Sequence, residues 1–531
     1  MHRVAGLRPL AAPLAVTCGL AVWVCARSWG HGWLLYRDFV AVPDPRLGPQ
    51  SLGVSGAAVR AVPLDAVTAV LAHAVPTALQ QQVMLLAALV LVGVGVAVLL
   101  RPHGVAAMTC GAALAVWNPY VAERLLVGQP PTLLAYSMAP WIVVAVRHRT
   151  TAPRRLALVV SAALPAALTP FGSVAAAVVA LAASGVTPGR RSRGWVTAVA
   201  VAALGWCSPW LVAALLGPPV VADRDGAAAF AVGADSALGT VGSVLMLGGI
   251  WAPGARPASR LEWLPVVASL FVLLLASAGV VVLVLRGRRR SAIQLGLLLL
   301  APVSLVLLLS TGPGLEAFAA LQAVPGVAIF RDTHRLLGLS ALGCALGAGL
   351  AVTGATSWTA ERLPGVATRG GVVLGVLAAT VLTVPDLPGA VGRSYRPVVY
   401  PDSWEQVIGA VDEVPGDGAV LVLPWQPFRN PSWAGGQAFL DPLPRALDRD
   451  VRSSFDLTVA RDGRALLVGG GDPSEAAQWA AGQVLPQVLD RLGISVVVEW
   501  QGTVGRLPQD HPGLRPVLRT PEFTVWSRAS G

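Results

Sequence analysis

The chain has 531 residues, of which 55% are hydrophobic and 13% are charged, about half the charged fraction of an ordinary soluble domain. This composition excludes an ordinary water-soluble protein. All 39 basic residues are arginine, and the absence of lysine excludes Schiff-base catalysis and a Walker-type phosphate loop, because both need a lysine amine. The five cysteines lie in apolar runs, which excludes a disulfide-stapled secreted fold and a CxxC-type zinc or redox site.

The net charge of +11 is distributed unevenly along the chain. Residues 1–385 contain 26 arginines and 11 acidic residues, whereas residues 386–531 contain 13 arginines and 17 acidic residues. Because the basic excess belongs to the apolar part, we predict no nucleic-acid partner. We divide the chain into a transmembrane domain, 1–385, and a C-terminal α/β domain, 386–531.

Apolar runs predict about eleven membrane crossings, since a helix needs about 20 mostly apolar residues to cross the hydrocarbon layer. The runs are Leu10–Trp29, Gln82–Leu100, Gly104–Trp117, Thr132–Val146, Leu156–Leu168, Val174–Val186, Trp195–Leu216, Leu264–Leu285, Ala292–Ser310, Leu336–Ala355 and Gly371–Val384. The fifth and sixth are short and lie between two arginine clusters, so they predict a hairpin, with a re-entrant loop as the alternative.

The direction of these crossings follows from the arginines, because arginine-rich loops stay in the cytoplasm. We expect a multi-pass plasma-membrane protein, with the lipid bilayer as a partner, a cytoplasmic N-terminus and an external C-terminal domain. For the first run, a cleaved signal peptide is the alternative.

The acidic residues of the transmembrane domain concentrate on the side that this topology makes external. Ten of the 11 lie there: Asp38, Asp44, Asp65, Glu123, Asp223, Asp225, Asp235, Glu262, Glu316 and Asp332. Solvated loops would explain this bias, and so would a reaction centre on the external face.

The first external loop, 30–81, is long for a connection between two helices, and long loops in compact folds are often functional. Asp38 follows the first apolar run by about eight residues, within Leu34–Val40. A carboxylate at this depth suits the general base that deprotonates a sugar hydroxyl. We therefore predict that Asp38 is catalytic, with Asp44 as a supporting acid. The alternative is a structural ion pair between Asp38 and Arg37.

Two further external segments, Asn118–Gln129 and Phe330–Arg335, contain arginines that suit the binding of a phosphate group. We predict that a donor phosphate is bound by Arg124, Arg331, His334 and Arg335. Glu123 and Asp332 are predicted as supporting acids. The alternative is that these residues form local salt-bridged networks, which would hold a surface helix and a helix start.

Asp223, Asp225 and Asp235 have the only carboxylate spacing that could hold a divalent cation. A polar loop explains the same residues equally well. We predict no metal ligands and leave a divalent-cation cofactor open.

The C-terminal domain is predicted to have a mixed or parallel sheet, because strand and helix patterns alternate. Strands are expected at Ala419–Leu423, Ile494–Val498 and Phe523–Trp526, and a helix at Pro473–Leu492. Trp425 and Trp433 flank a polar loop, and we predict that they stack on the sugar rings of an acceptor glycan. Packing in the core is the alternative for any tryptophan.

Asp38 after the first helix, the Asn118–Gln129 loop, the Phe330–Arg335 segment and the C-terminal α/β domain together resemble a family. This family is the actinobacterial polytopic glycosyltransferases of the GT-C architecture, of the arabinofuranosyl- and mannosyltransferase kind. The resemblance covers most of the chain and implies a polytopic α-helical membrane fold, GT-C-like, with a C-terminal external α/β domain.

The resemblance further implies an inverting enzyme that takes a sugar from a polyprenyl-phosphate donor. The acceptor would be a cell-envelope glycan or glycolipid on the external face. In such enzymes the first-loop acid is the base, and this role is carried over only to Asp38. Many members have paired acids in this loop, where this chain has Arg37.

Two functions of other classes stay open from the residues alone. A transporter or flippase of lipid-linked glycans generally has charges near the bilayer midplane and repeats between its halves, and the sequence shows neither. A non-catalytic scaffold for envelope assembly would keep the fold and tolerate the loss of Asp38 and Arg331.

Overall fold

The computed structural model describes residues 8–55, 61–217, 224–322, 324, 326–362, 366–454, 456–461, 464–468, 475–502 and 511–528. Helices α1–α9 span Ala11–Cys25, Pro49–Leu52, Leu64–Ala72, Thr77–Leu100, Val105–Val116, Pro119–Leu126, Pro130–Arg147, Ala152–Ala163 and Pro170–Val186. Helices α10–α18 span Arg193–Leu216, Arg224–Ala229, Gly239–Leu245, Trp263–Leu285, Arg289–Leu308, Gly312–Gln322, Leu337–Arg362, Val366–Leu382 and Leu387–Ser394. Helices α19–α22 span Ser403–Asp412, Leu443–Ala446, Ala476–Ala480 and Pro486–Arg491. Strands β1–β11 span Trp33–Leu34, Pro397–Val398, Ala419–Leu423, Phe428–Arg429, Phe439–Leu440, Val451–Arg452, Leu457–Arg461, Arg464–Val468, Ile494–Trp500, Leu514–Arg519 and Phe523–Arg528.

The first part of the chain is a polytopic helical bundle, as predicted. Each predicted apolar run lies on a helix of its own: α1, α4, α5, α7, α8, α9, α10, α13, α14, α16 and α17. Among the described residues, seven helices are long and apolar enough to cross a membrane. An eighth is added if Gly370–Leu382 and Leu387–Ser394, which are bent by 43° to each other, form one span. The protein is therefore a multi-pass membrane protein, and the count of eleven crossings stays a prediction.

Helix α16 lies at the centre of the bundle, packed against α5, α13 and α14. Its backbone approaches that of α13 at Gly347, where a Cβ added to Gly279 would collide with the Gly347 carbonyl. Small residues at such crossings let membrane helices pack closely. The central position of α16 fixes the segment that precedes it, residues 331–336.

Helices α8 and α9 form the predicted hairpin. The Thr169 side chain accepts a hydrogen bond from Gly172 N and so caps α9, which begins at Pro170. The Arg335 guanidinium lies 5.7 Å from the centre of the Phe171 ring, next to this turn. The hairpin turn therefore lies at the same end of the bundle as residues 331–336.

The C-terminal domain contains a five-stranded mixed sheet in the order β10-β11-β9-β3-β6. Strand β3 is parallel to β6 and β9, whereas β11 is antiparallel to β9 and β10. All five residues of β3 are buried, because alternate side chains pack into two separate cores: Val420 and Val422 into one, Leu421 and Leu423 into the other. The sheet is mixed, one of the two predicted arrangements, and the predicted buried strand at Ala419–Leu423 is confirmed.

The predicted helix Pro473–Leu492 was wrong in its continuity. Two short helices, α21 and α22, occupy the described part of this range. Gly482 has a φ of +73° between them, and Pro486 starts the second helix. A left-handed glycine followed by a proline ends one helix and allows the next to begin in a new direction. Residues 473 and 474 lie outside the described residues.

The first long loop, residues 30–81, joins the two domains through its described residues. Strand β1 of this loop pairs with β2, which follows the bundle. Leu35 and Val42 of the loop are buried in the same core as Trp404 and Phe439 of the C-terminal domain. Helix α18, which lies beyond residue 385, contributes to the core of the bundle instead. Segments on each side of the predicted boundary at residue 385 therefore pack in the core of the other domain.

Candidate active site

Asp38 lies at the tip of a tight turn in the first long loop, residues 30–81. Tyr36 and Phe39 exchange two backbone hydrogen bonds, with N–O distances of 3.1 and 2.9 Å, and leave Arg37 and Asp38 as the two central residues. Arg37 has a φ of +49°. A positive φ at the first central residue is what a two-residue turn of the primed type requires. Tyr36 and Phe39 are buried and Asp38 is exposed. The two buried residues therefore hold the turn in place, and the carboxylate at its tip is accessible.

The Arg37 guanidinium is engaged elsewhere than at Asp38. Its Nη2 atom donates a hydrogen bond to the carbonyl oxygen of Gly254, at 2.9 Å. Among the described residues, Arg37 therefore forms a hydrogen bond with Gly254 and not the ion pair with Asp38 that was the alternative. The Asp38 side chain is exposed and can contact another group.

Asp38 borders a pocket with a cavity volume of about 70 Å³ that opens to solvent. It is lined by residues 38–42, 45, 46, 51 and 61 of the first loop, by residues of α3 and the start of α4, by Pro131, and by Arg445 of the C-terminal domain. Asp44 is exposed and does not belong to the lining.

The polar groups of the pocket floor are already hydrogen-bonded within the protein. Thr77 Oγ1 donates to the Val42 carbonyl at 2.6 Å, and the Gln81 amide bonds both backbone groups of Leu34. The lining also contains an ion pair of 3.1 Å between Arg445 and Asp65. A ligand in this pocket therefore meets apolar side chains, polar groups that are already hydrogen-bonded, the Asp38 carboxylate and an Arg–Asp pair.

Arg124, Asp332, His334 and Arg335 come together in one buried ionic network, although 208 residues separate Arg124 from Asp332. Arg124 Nη1 donates to Asp332 Oδ2 at 2.6 Å, and the Arg335 Nε atom lies 3.3 Å from the same oxygen. Arg124 is fully buried, whereas 18% of the Arg335 side chain is exposed. Two guanidinium groups thus share one carboxylate, and the exposed member, Arg335, keeps a positive charge at the surface of the site.

His334 joins this network to Glu123. Arg124 Nη2 donates to His334 Nδ1 at 2.9 Å. Because a guanidinium can only donate, Nδ1 must accept, and the ring proton is on Nε2. The Nε2 atom lies 2.9 Å from Glu123 Oε2. The His334 ring also stacks on Tyr120, with ring centres 5.7 Å apart.

Glu123 and a second buried ion pair continue the network into the loop before α13. The Glu123 carboxylate accepts hydrogen bonds from the backbone N–H groups of Gly249 and Ile250, at 3.2 and 3.0 Å. It also contacts Asp235, which accepts from Arg260 Nε at 2.9 Å. The network therefore ties α6, residues 232–260 and residues 331–335 into one rigid unit.

Acid pH should reduce the stabilising effect of the Asp235–Arg260 pair. Burial raises the pKa of Asp235, but the Arg260 guanidinium outweighs burial and the net pKa lies below the ordinary value. Such a group stabilises the folded state above its unfolded pKa, near 3.9, and this stabilisation is lost as pH falls through the folded pKa. In Arg260→Met the Asp235 carboxylate loses its partner and its pKa rises. As pH falls, Asp235 of the variant becomes protonated, which removes the unpaired buried charge and so reduces the loss of stability.

We expect the difference in apparent Tm between wild type and Arg260→Met to be largest at pH 7 and to narrow by pH 4. Thermal unfolding of the purified protein in detergent, followed by tryptophan fluorescence, measures this difference. Arg46→Met, which removes a half-exposed arginine paired with Asp412, serves as the control. A difference that stays constant over this pH range would contradict the prediction.

Gln129 connects the network to Asp38. Its side-chain oxygen accepts from Arg124 Nη1 at 3.0 Å, and its Nε2 lies 3.5 Å from Asp38 Oδ2. The negative charge of Asp38 also acts on the Arg335 guanidinium. Asp38, the predicted base, and Arg335 of the Phe330–Arg335 segment are therefore linked in one candidate site.

The remaining predicted phosphate ligand, Arg331, is half-buried at the edge of this site. Its guanidinium lies 4.5 Å from the centre of the Phe230 ring, a cation–π contact that holds the side chain in place. Phe230 packs in turn on Trp251, with ring centres 4.5 Å apart.

Trp425 and Trp433 lie in the C-terminal domain and are both half-buried. Trp425 packs on Trp479, with ring centres 4.6 Å apart, and Trp433 packs on Tyr400 and Phe439. Neither tryptophan lines the Asp38 pocket. Their role in binding a glycan stays a prediction.

Asp235 is occupied by Arg260, and no group of three His, Cys, Asp or Glu side chains among the described residues could hold a metal ion. Asp223 lies outside the described residues, as does the side chain of Asp225.

Sequence reasoning missed Gln129, the Asp235–Arg260 pair and Arg445 as parts of this region. Gln129 ends a segment for which phosphate binding was one of two open predictions, and its polar side chain after Gly128 was the available signal. Nothing local in the sequence indicates that Arg260 would pair with Asp235 or that Arg445 would reach the pocket.

Comparison with known proteins gives a similar fold but no close relative in sequence. No family model and no curated protein matches the chain. Among solved structures, the mycobacterial arabinofuranosyltransferase AftD is similar over 99% of this chain, with a TM-score of 0.61 and 18% sequence identity. This chain spans 42% of the length of that protein.

Two structures of the oligosaccharyltransferase AglB from the archaeon Archaeoglobus fulgidus are less similar. The structure with an inhibitory peptide and a dolichol-phosphate gives a TM-score of 0.44 at 11% identity, over 92% of this chain and 69% of the other. The structure with zinc and sulfate gives 0.41 at 12% identity, over 92% of this chain and 68% of the other. The fold assignment rests on the mycobacterial structure: the chain has the GT-C-like fold of a polytopic arabinofuranosyltransferase, as predicted.

Proposed function

We propose that this protein is a membrane glycosyltransferase that moves a sugar from a polyprenyl-phosphate donor to a cell-envelope glycan or glycolipid. The observation that carries the proposal is the exposed Asp38 carboxylate, held at the tip of a tight turn beside an open pocket and within electrostatic reach of Arg335. The fold supports it, because the similar mycobacterial protein is named as an arabinofuranosyltransferase. A pentose from a lipid-phosphate donor is the first substrate to test.

In the proposed reaction, Asp38 takes the proton of an acceptor hydroxyl while the hydroxyl oxygen attacks the anomeric carbon of the donor sugar. The bond from that carbon to the phosphate oxygen breaks, and polyprenyl phosphate leaves with the electron pair. Attack from the face opposite the phosphate inverts the configuration. A general base in this position contributes about 10²–10⁴-fold to the rate.

The departing phosphate would be stabilised by Arg335 and Arg331, the two predicted phosphate ligands with exposed surface. Charge-assisted hydrogen bonds from arginine to phosphate are strong and geometrically specific. Arg124 and His334 are buried, and Arg124 bonds Asp332, Gln129 and His334, so we assign them the role of holding Arg335 and Gln129 in position. Asp332 balances the charge of Arg124, and Glu123 lies beside His334.

The orientation that we propose is the one given by the arginines, with Asp38 and the C-terminal domain on the external face and the N-terminus in the cytoplasm. A lipid-phosphate donor would then enter the site from the outer leaflet. Labelling of an Asp38→Cys variant in intact cells by a membrane-impermeant thiol reagent tests this. Failure to label in intact cells, with labelling after permeabilisation, would contradict the proposed orientation.

The direct test of activity is to incubate the purified, detergent-solubilised protein with radiolabelled polyprenyl-phosphate sugars and a membrane extract, and to measure label in the glycan fraction. Asp38→Asn in the same preparation is the control for a contaminating activity. Transfer that is equal in both preparations, or absent in both with every donor, would contradict the proposal.

We expect Trp425→Ala and Trp433→Ala to raise KM for the glycan acceptor by about fivefold each, because stacking of a sugar on an aromatic ring contributes on the order of 1 kcal/mol. The KM for the lipid donor should not change, since neither residue lines the pocket. Initial-rate kinetics with each substrate varied in turn measures both. Unchanged acceptor KM in both variants would remove the tryptophans from acceptor binding.

A further inference from the structure

The turn that holds Asp38 lies on the seam between the two domains. Tyr36 and Phe39, on either side of the tip, are buried in the core of the helical bundle, whereas Leu35 and Val40, one step further out, are buried in the core of the C-terminal domain. Both domains therefore hold the same short segment.

The C-terminal domain holds the backbone directly before Asp38. The Arg37 N–H donates to the Ala438 carbonyl at 2.9 Å, and the Leu440 N–H donates to the Arg37 carbonyl at 2.8 Å. These bonds make an isolated parallel bridge between Arg37 and Phe439 of β5. The Leu440 N–H is thus used for the first loop and not for the pairing of β5 with β4.

The helical bundle closes the other side of the turn. The Tyr36 hydroxyl donates to the Leu126 carbonyl at 2.8 Å. A Cβ added to Gly128, which follows α6, would lie 2.7 Å from the Arg37 Cβ and 3.1 Å from the Asp38 nitrogen. The turn therefore has little room to move toward the bundle.

Arg37 is held in a conformation that it would not favour by itself. Its φ of +49° lies in the left-handed region, which costs a residue other than glycine on the order of 1 kcal/mol or more and persists only where the surroundings impose it. The surroundings here are the two backbone bonds from the C-terminal domain and the Arg37–Gly254 bond.

We propose that the C-terminal domain positions the Asp38 carboxylate: its segment 438–440 fixes the left-handed backbone of Arg37 and so sets the direction of the next side chain. In this arrangement the C-terminal domain acts on the chemical step itself and not only on binding of the acceptor. The inference rests on the proposed function of Asp38, and Arg37 and Leu440 are positioning residues rather than catalytic ones.

The test compares Leu440→Pro with Leu440→Ala in the full-length protein. Both variants lose the leucine side chain, but only proline lacks the N–H that bonds the Arg37 carbonyl. We expect kcat of Leu440→Pro to be about 10–100-fold below that of Leu440→Ala, since a base displaced by about 1 Å loses up to about 10²-fold. The donor KM should be equal in the two variants, because the phosphate-binding arginines are not moved.

A readout that does not depend on activity separates this inference from the proposed function. Hydrogen exchange of the peptide containing residues 34–40, followed by mass spectrometry, should be faster in Leu440→Pro than in Leu440→Ala. If the wild type transfers no sugar, the proposed function fails, and the exchange rates still decide whether segment 438–440 holds the turn. Equal exchange and equal kcat in the two variants would overturn the inference.

A second pair of variants covers the case in which Leu440→Pro does not fold. Arg37→Gly and Arg37→Val both remove the arginine side chain, but glycine accepts a positive φ without cost and β-branched valine resists it. We expect kcat of Arg37→Gly to exceed that of Arg37→Val by about tenfold or more. Equal kcat values would show that the backbone conformation of residue 37 does not matter, which contradicts the inference.

Discussion

Replacing Asp38 with Asn is expected to lower kcat for sugar transfer by about 10²–10⁴-fold, the range that a positioned general base contributes. Asn keeps the size of Asp and the position at the tip of the Tyr36–Phe39 turn, but its amide cannot accept the proton of the acceptor hydroxyl. Donor KM should stay within about threefold of the wild-type value, because the loss concerns a group that acts in the transition state. Initial-rate kinetics with a polyprenyl-phosphate sugar measures both constants.

The control for this variant is Asp417→Asn, which changes an exposed carboxylate of the C-terminal domain that is outside the pocket lining. Its kcat should equal that of the wild type. Asp44→Asn tests the supporting role predicted for the second acid of the loop. A kcat of Asp38→Asn within about threefold of the wild type would remove Asp38 from the mechanism.

Replacing Arg124 with Met is expected to lower the free energy of unfolding by about 3–5 kcal/mol, the cost of leaving a buried charge without its partner. Arg124 is fully buried and bonds Asp332, His334 and Gln129 at once. Met fills most of the volume but leaves the Asp332 carboxylate with Arg335 alone and leaves His334 Nδ1 without a donor. Unfolding by SDS in mixed micelles, followed by tryptophan fluorescence, measures the loss.

Two further variants show whether the loss comes from the buried network. Arg46→Met removes an arginine whose pair with Asp412 is 27% and 38% exposed, and such pairs contribute about 0–1 kcal/mol. The double variant Arg124→Met with Asp332→Asn no longer contains the Asp332 carboxylate that Arg124 paired. Its loss of free energy of unfolding should therefore be smaller than the sum of the losses of the two single variants. A loss for Arg124→Met no larger than for Arg46→Met, or full additivity in the double variant, would contradict the structural role.

The architecture was predictable because its signals are local. Each apolar run that the sequence shows lies on a helix, and the buried strand Ala419–Leu423 has the predicted bounds. Runs of this kind depend on hydrophobicity and period, which are properties of neighbouring residues. The continuous helix Pro473–Leu492 was wrong because apolar periodicity was given more weight than Gly482 and Pro486, which end and restart helices locally.

Part of the site could also be predicted from local patterns. The segments that contain Asp38, Arg124 and Asp332 are polar within an otherwise apolar chain, and the arginine pattern predicts that they are external. Ionisable residues at membrane depth are costly and are kept for pairing or function, and the structure brings these three segments to one place. Their identity as candidates therefore came from composition and topology alone.

The division of roles among these residues was decided only by the tertiary structure. Arg124 and Arg335 have the same chemistry and similar flanking sequences, yet one is sealed beside Asp332 and the other keeps 18% of its side chain exposed. The Asp235–Arg260 pair, the Gln129 link and the two bonds between Arg37 and residues 438–440 likewise join segments that are distant in sequence. The physical reason is that burial and pairing of polar groups depend on which distant elements pack together, whereas hydrophobic period and charge asymmetry are written along the chain itself. The sequence alone determined a membrane-embedded helical bundle with an α/β domain. Packing between the two domains decided that the Asp38 carboxylate is exposed, and the proposal is that it also sets the direction of that side chain.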